Sequence, residues 1–255
     1  MNRSILWLGV SILFGVSQAV ADNHVDWSYE GETGPAHWGA LSEDFVACQN
    51  GQLQAPIDIQ STMVGKAANK LKTFYRPSAG DIVNNGHTIQ VNLKDGGYAQ
   101  LAGSRYNILQ FHLHTPSEET VNGVRYPMNA HLVHVKQPSS SYDAAPPKLA
   151  VIGLFFKEGQ ENAVLKPVLD AMPTKPGSVS LVSQVDLTDL LPASLAFYSY
   201  AGSLTTPACT EGVDFYILKV PVELSPAQLQ QFKQIFPMNA RPIQRLNGRQ
   251  VVEGN

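Results

Sequence analysis

The chain has little cysteine, little charge and no apolar run long enough to cross a membrane. Only 15% of its 255 residues are charged, and the 18 basic ones form no cluster that could hold a phosphate backbone, so nucleic acid is not expected as a partner. The apolar stretch at residues 5–16 is shorter than the roughly twenty residues that a spanning helix needs. The sequence therefore predicts no membrane span.

The first 21 residues have the pattern of a cleaved signal peptide. Arg3 precedes the apolar stretch, and Ala19-Val20-Ala21 provides the small-x-small pattern at which such peptides are cut. We expect residues 1–21 to be removed and residues 22–255 to form a single domain. An uncleaved anchor is the alternative, against which the short apolar stretch argues. A lipoprotein is excluded because no cysteine directly follows the stretch.

Most of the chain consists of short segments rich in β-branched and aromatic residues, separated by Gly, Pro, Asn and Ser, which predicts strands. Two helices are predicted, at 162–172, where Pro167 is unfavourable, and at 225–236, where Ser225 and Gln228 fit a capping box. Residues 138–147 are expected to form an exposed loop. The predicted strands are 57–59, 71–75, 89–93, 106–114, 128–135, 149–157 and 214–220.

Histidines on two neighbouring predicted strands form the most informative pattern. His112 and His114 are two residues apart, so they share one face of a strand, and His131 lies on the next strand. A lone His-x-His pair is more often unrelated to metal, so the interpretation depends on the third histidine. Three neutral imidazoles with one open position are typical of catalytic zinc, whereas structural zinc sites close the fourth position.

A cupin is the competing interpretation from another class. The spacing His112-x-His114-x-x-x-Glu118 also fits the first half of a cupin metal motif, in which Glu118 would be a ligand to iron or manganese. The second half requires Pro-x-Gly-x-x-His, and residues 127–131 have neither the glycine nor the spacing. A cupin would also leave residues 204–207 unexplained.

Eight short segments carry a more specific pattern. They are WSY at 27–29, GPAHWG at 34–39, QAPIDI at 54–59, NNGH at 84–87, residues 110–120, AHLVH at 130–134, LAVIG at 149–153 and LTTP at 204–207. In this order the chain resembles the α-class carbonic anhydrases, specifically the exported bacterial type, from about residue 27 to 249. The resemblance implies a β-rich α+β fold, with a large, mostly antiparallel central sheet flanked by short helices.

The resemblance also implies the reaction, which is the reversible hydration of carbon dioxide to bicarbonate and a proton. Zn²⁺ would be held by His112, His114 and His131 at the bottom of a cone-shaped cleft and would lower the pKa of bound water to about 7, a value for which carbonic anhydrase is itself the reference case. Inhibition by sulfonamides and a periplasmic or secreted location are further expectations, and a homodimer is left open. A catalytically silent binding module of this family is the remaining alternative, but such modules typically lack a ligand histidine.

Three residues are expected to carry the chemistry beside the metal. Thr205 would orient the attacking oxygen, provided that its own hydrogen is donated to Glu118, a carboxylate that can only accept. The neighbouring Glu119 is interpreted as solvated. His87, with Tyr29 and Asn85 ordering a water chain, matches the family's proton shuttle.

The remaining expectations concern the surroundings of the metal. Gln110 would accept the second N–H of His112, and Asn129 would do so for His131 through its amide oxygen. The family has Glu at position 129, so we expect weaker zinc retention here than in an Asn129→Glu variant. The resemblance implies that the substrate pocket is formed by Val133, Val151, Leu204, Thr206 and Phe215, the last in place of the family's Trp.

The two cysteines, Cys48 and Cys209, are both in the exported part of the chain. An even number of cysteines in an oxidising compartment predicts one disulfide, and two buried free thiols are the alternative. The bridge would constrain the segment that carries Thr205, four residues before Cys209.

Overall fold

The computed structural model describes residues 25–67, 70–137 and 147–255. The predicted signal peptide and all but the last residue of the predicted loop at 138–147 lie outside these ranges. Among the described residues, no helix combines the length and the apolar character needed to cross a membrane.

A large, mostly antiparallel sheet dominates the described chain, as expected. Its strands follow the order β12-β4-β5-β7-β10-β11-β14-β13-β16-β2, with β3 and β6 extending from β7 and β15 pairing with β11, while β1, β8 and β9 form a small separate sheet. The strands are β1 Asp58–Ile59, β2 Gly65–Lys66, β3 Lys72–Tyr75, β4 Gly80–Asn84, β5 Ile89–Leu93, β6 Gly97–Leu101, β7 Ser104–His114, β8 Thr120–Val121, β9 Val124–Arg125, β10 Met128–Lys136, β11 Leu149–Glu158, β12 Gly177–Ser180, β13 Phe197–Ser203, β14 Glu211–Leu218, β15 Val222–Leu224 and β16 Val252–Gly254.

Every predicted strand overlaps an observed one, but the predictions missed several strands, including β4, β6 and β13. The α-helices are short: α1 Trp38–Leu41, α2 Ala47–Asn50, α3 Lys166–Ala171 and α4 Pro226–Lys233. Single 3₁₀ turns occupy Gly31–Thr33, Glu43–Phe45, Ser61–Met63 and Leu187–Leu190.

Both predicted helices form, and both are shorter than expected. In α4 the Ser225 hydroxyl accepts the Gln228 backbone N–H, and the Gln228 side chain accepts that of Ser225, which confirms the capping box. In α3, Pro167 stands in the first turn, where proline is tolerated because its missing N–H has no helical partner there. The preceding residues from Asn162 form a turn in which the Asn162 side chain accepts two backbone N–H groups.

The two faces of the central strands have different roles. Side chains such as Phe111, Leu113 and Leu132 point to one face and form the main apolar core, which α3 and α4 cover. Residues of opposite parity, including Val133 and Val151, point to the other face, where a second and smaller apolar cluster lies. The three histidines belong to this second face, so the core supports the site from behind.

Candidate functional site: a three-histidine metal centre in an apolar cleft

The pairing of β7 with β10 brings the three histidines together. His112 pairs directly with His131, and His114 pairs with Asn129 two residues earlier on β10. Because side chains alternate along a strand, all three imidazoles point to the same face. One potential ligand atom from each histidine lies within 4.8 Å of the other two.

Two of the imidazoles have a defined tautomer. The Nδ1 atom of His112 lies 2.9 Å from Gln110 Oε1, and that of His114 lies 2.8 Å from the Asn239 backbone oxygen. Both oxygens can only accept, so each Nδ1 must carry the hydrogen and each Nε2 keeps a free lone pair. The Nε2 of His114 is buried without a hydrogen-bond partner in the described chain, which fits a metal ligand.

The same two histidines are held in the neutral form that metal binding requires. Burial, reinforced by the nearby His131, lowers the pKa of His112 to about 3. Burial and the other two histidines lower the pKa of His114 well below its usual value. Three imidazole donors, with no fourth ligand residue grouped with them among the described residues, suit a catalytic zinc site.

The surroundings of the third histidine, His131, contradict two expectations from the sequence. The Asn129 oxygen does not face His131, because it accepts the backbone N–H of Glu118 at 3.2 Å. The Asn129 amide nitrogen instead lies 2.9 Å from His131 Nε2 and donates to Glu119 Oε2 at 3.1 Å. Glu119, expected in solvent, is fully buried, with its carboxylate 3.2 Å from His131 Nε2.

Glu119 is charged in this environment. Burial alone would raise its pKa, but the attraction and hydrogen bond of His131, together with the Tyr200 hydroxyl, lower it overall. Conversely, burial would lower the pKa of His131, and the two carboxylates of Glu119 and Glu118 raise it. His131 and Glu119 therefore each favour the charged form of the other.

Glu118 is also fully buried, but its environment differs. Burial, with a contribution from Glu119, raises the pKa of Glu118 to about 7, against the opposing effects of His131, the Arg241 backbone N–H and the Thr205 hydroxyl. The Arg241 N–H donates to Glu118 Oε1 at 2.9 Å. Thr205 and Glu118, predicted to act together, are thus adjacent in the structure.

The predicted pocket residues line one cleft above the histidines. Val133 pairs with Val151 across β10 and β11, and Val151 pairs with Phe215 across β11 and β14, so these three side chains form a continuous apolar row. The cleft encloses about 250 Å³. Its lining includes all three histidines, Val133, Val151, Leu204, Thr205, Thr206, Phe215, Tyr29, Asn85 and His87.

His87 lies at the wall of this cleft, as predicted, on the turn after β4. The Asn85 side chain shapes the turn by accepting the backbone N–H groups of His87 and Thr88, both at 2.9 Å. The His87 ring stacks on Trp27, with ring centroids 3.6 Å apart. Tyr29 packs edge-on against the same Trp27 at 5.5 Å, so the proposed proton path is bordered by aromatic rings.

The structure contains the predicted disulfide between Cys48 and Cys209, which are 161 residues apart in sequence. Cys209 closes the turn after Thr205 by donating its backbone N–H to the Thr206 oxygen at 2.8 Å. Arg241, buried beside the bridge, donates to the Cys48 backbone oxygen at 3.0 Å. The bridge therefore constrains the segment that carries Thr205, as expected.

Several residues of the site were not found from the sequence. The Asn239 carbonyl reaches His114 across 125 residues, and no local pattern indicates such a contact. Glu119 and Tyr200 were missed for a similar reason, because the Tyr200 hydroxyl donates to Glu119 Oε1 from a strand 81 residues later. One signal was available for Glu119: it follows Glu118 in a segment already assigned to the site.

Comparison with known proteins agrees with the site geometry. The family described as eukaryotic-type carbonic anhydrase matches residues 33–255. A carbonic anhydrase of Nostoc sp. is 42% identical over 96% of this chain and 92% of its own length, and one of Neisseria gonorrhoeae is 40% identical over 93% and 91%. The solved α-carbonic anhydrase of Thermovibrio ammonificans, in complex with the inhibitor sulfanilamide, superposes with a TM-score of 0.84 at 42% identity, covering 89% of this chain and 99% of that one.

These matches favour neither a cupin nor a silent binding module. They extend over nearly the whole chain, the relatives are named for one activity, and the cleft contains all three of the predicted ligand histidines. The chain therefore belongs to the α-carbonic anhydrase family and is an enzyme of carbon dioxide hydration.

Proposed function

We propose that residues 22–255 form one catalytic domain that holds Zn²⁺ through His112 Nε2, His114 Nε2 and His131 Nδ1. The observation that carries this assignment is the Nε2 of His114, which is buried in the cleft without a hydrogen-bond partner among the described residues. When bound, zinc supplies a Lewis acid that lowers the pKa of water to about 7 and thus a nucleophile at neutral pH, a value for which this enzyme class is the reference case.

Thr205 and Glu118 orient the attacking oxygen. The Thr205 hydroxyl can accept a hydrogen bond from that oxygen only while its own hydrogen is donated elsewhere, and Glu118 is the adjacent acceptor. The Arg241 backbone N–H fixes the other oxygen of Glu118. A lone pair of the nucleophile is thereby directed at the substrate, which is a gain in orientation.

Carbon dioxide is small and apolar, and the row of Val133, Val151 and Phe215 offers it an apolar wall beside the histidines. Leu204 packs against the same apolar cluster, and Thr206 lines the cleft next to Thr205. Contact with these side chains removes water from the approach to the nucleophile and leaves the substrate carbon accessible. The ring of Phe215 lies against His131, with centroids 5.8 Å apart.

Each turnover releases a proton, which must reach bulk solvent. His87 is suited to accept it because an imidazole nitrogen can take up a proton and pass it on. Its position on the cleft wall, beside Tyr29 and Asn85, supports a path of water molecules between the metal site and this ring.

The decisive experiment combines zinc analysis with a stopped-flow assay of carbon dioxide hydration. We expect the wild-type protein to contain one zinc ion and to hydrate carbon dioxide, and His114→Ala to lose both zinc and activity. His37→Ala, a change at an exposed histidine, is the matched control and should retain both. Zinc-loaded wild-type protein without activity above buffer would refute the proposal.

Three further proposals concern inhibition, location and oligomeric state. An unsubstituted sulfonamide such as sulfanilamide, the inhibitor in the Thermovibrio ammonificans complex, should bind at the metal site and inhibit. The disulfide supports an exported, periplasmic or secreted protein. A homodimer is proposed from family membership, to be tested by light scattering.

A further inference from the structure

We propose that Glu119, rather than residue 129, is the carboxylate that positions His131 for the metal, an inference that rests on the proposed zinc site. A ligand histidine that binds through Nδ1 carries its hydrogen on Nε2, and an acceptor must hold that hydrogen for the tautomer to persist. In the part of the chain that the structure describes, two atoms lie within hydrogen-bonding distance of His131 Nε2: the Asn129 amide nitrogen at 2.9 Å and Glu119 Oε2 at 3.2 Å.

The orientation of Asn129 decides between these two atoms. Its oxygen accepts the Glu118 backbone N–H, and its nitrogen donates to Glu119 Oε2. Turning the amide over would place its NH₂ group against the Glu118 N–H and its oxygen against the Glu119 carboxylate, which would lose both bonds. The atom facing His131 is therefore a donor, and two donors cannot bond to each other.

Glu119 is left as the acceptor, and it is rigidly held. Oε2 receives the Asn129 amide, and the Tyr200 hydroxyl donates to Oε1 at 3.1 Å. The Tyr200 ring in turn stacks on Phe215, with centroids 4.9 Å apart. A bond from an imidazole to a carboxylate is charge-assisted, so Glu119 supplies here the carboxylate that we expected from the family at position 129.

The distances allow a test in which the carboxylate is moved from position 119 to position 129 with little change in side-chain volume. In the double variant Glu119→Gln/Asn129→Asp, a carboxylate oxygen at position 129 would take the place of the amide nitrogen 2.9 Å from His131 Nε2. The new amide at position 119 would then donate to that oxygen across the present 3.1 Å contact. The other carboxylate oxygen at position 129 would still accept the Glu118 N–H.

We expect Glu119→Gln to lose zinc to a chelator about 10- to 100-fold faster than wild type, the range typical of losing such a partner. Asn129→Asp should gain nothing in zinc retention and should melt at a lower temperature, because it places two carboxylates side by side. The double variant should recover most of the wild-type retention. Glu223→Gln, a change at a surface carboxylate, is the matched control and should behave as wild type.

A second readout reports the tautomer directly. In ¹⁵N NMR of zinc-loaded protein, the Nε2–H of His131 should be protected from exchange in wild type and in the double variant, and should exchange faster in Glu119→Gln. Wild-type retention and protection in Glu119→Gln would overturn the inference, as would a double variant no better than the single one. If His131→Ala retains zinc as wild type does, the proposed zinc site itself fails.

Discussion

Single hydrogen-bond partners decide which nitrogen of each imidazole would be available to a metal. Gln110 and the Asn239 carbonyl fix His112 and His114, while His131 faces a carboxylate. Each partner acts through one hydrogen bond, so its removal should change metal retention more than the fold.

Replacing Glu118 tests whether it orients Thr205. In Glu118→Gln the amide can donate as well as accept, so Thr205 is no longer restricted to donating its hydrogen to residue 118. We expect kcat to fall on the order of 100-fold, the cost of a misplaced reacting group, with zinc content unchanged. Stopped-flow assays check this against Glu161→Gln, an exposed control. An unchanged kcat would show that Thr205 is oriented by something else.

Replacing His87 tests the proton path. His87→Ala should slow turnover in dilute buffer, because proton release loses its relay, while kcat/KM for carbon dioxide stays close to wild type. Added imidazole should restore the rate in the variant and have little effect on wild type. Equal rates for both proteins in dilute, non-shuttling buffer would contradict the role of His87.

How far the sequence predicted these side chains depends on whether the relevant contact is local. His112 and His114 follow from strand periodicity, and Gln110 follows from the same rule because it lies two residues before His112. Glu119 could not be placed this way, since its burial depends on Tyr200, 81 residues away. Asn129 was located correctly beside His131 but given the wrong orientation, because the Glu118 N–H that turns its amide belongs to another segment.

Helices and strands were likewise predictable from the sequence where they depend on local contacts, and not where they depend on distant segments. The capping box of α4 was predictable because it needs only Ser225 and Gln228 within one turn. Strand β13 was missed because Phe197–Ser203 lacks a regular alternation and is fixed by pairing with β14 and β16. The cluster of histidines also depends on pairing between separate strands, because only the register of β7 against β10 places His112 opposite His131.

The disulfide connects α2 to the segment after β13, so its loss should loosen both. For a separation of 161 residues, the chain-entropy model gives at most about 5 kcal/mol of unfolding free energy. We expect the Cys48→Ala/Cys209→Ala variant to unfold at a lower denaturant concentration and to have lower activity, because Thr205 is less well positioned. Reduced wild-type protein is the matched control and should behave like the variant. Identical unfolding midpoints for oxidised wild type and variant would show that the disulfide does not stabilise the fold.

The stability of the whole molecule should depend on pH through a histidine outside the metal site. His134 points away from His131 and lies 2.8 Å from the Tyr75 hydroxyl in the core. Burial, only partly offset by backbone hydrogen bonds, lowers the pKa of His134 from 6.5 to about 4. The unfolded chain therefore binds the proton first, so this stabilisation is complete above pH 6.5 and is lost as the pH falls towards 4.

We expect the free energy of unfolding of zinc-free protein to fall by about 3 kcal/mol over this interval because of His134 alone. His134→Gln, which cannot take up a proton, should be less stable at pH 7 but should show a flatter pH profile. Urea unfolding of both proteins between pH 4 and 7 measures the difference. Parallel profiles would assign the acid sensitivity to other groups.

The contact between Asn129 and Glu119 also has an evolutionary consequence. Two carboxylates at these positions repel each other, and two amides leave His131 without a charged acceptor, so each residue limits what the other can become. Positions 119 and 129 should therefore vary as a pair across the family, with a carboxylate at one position and a neutral hydrogen-bonding side chain at the other. A lineage moving from one arrangement to the other must pass through a poorer intermediate, so the exchange should be rare and should define whole branches of the family tree.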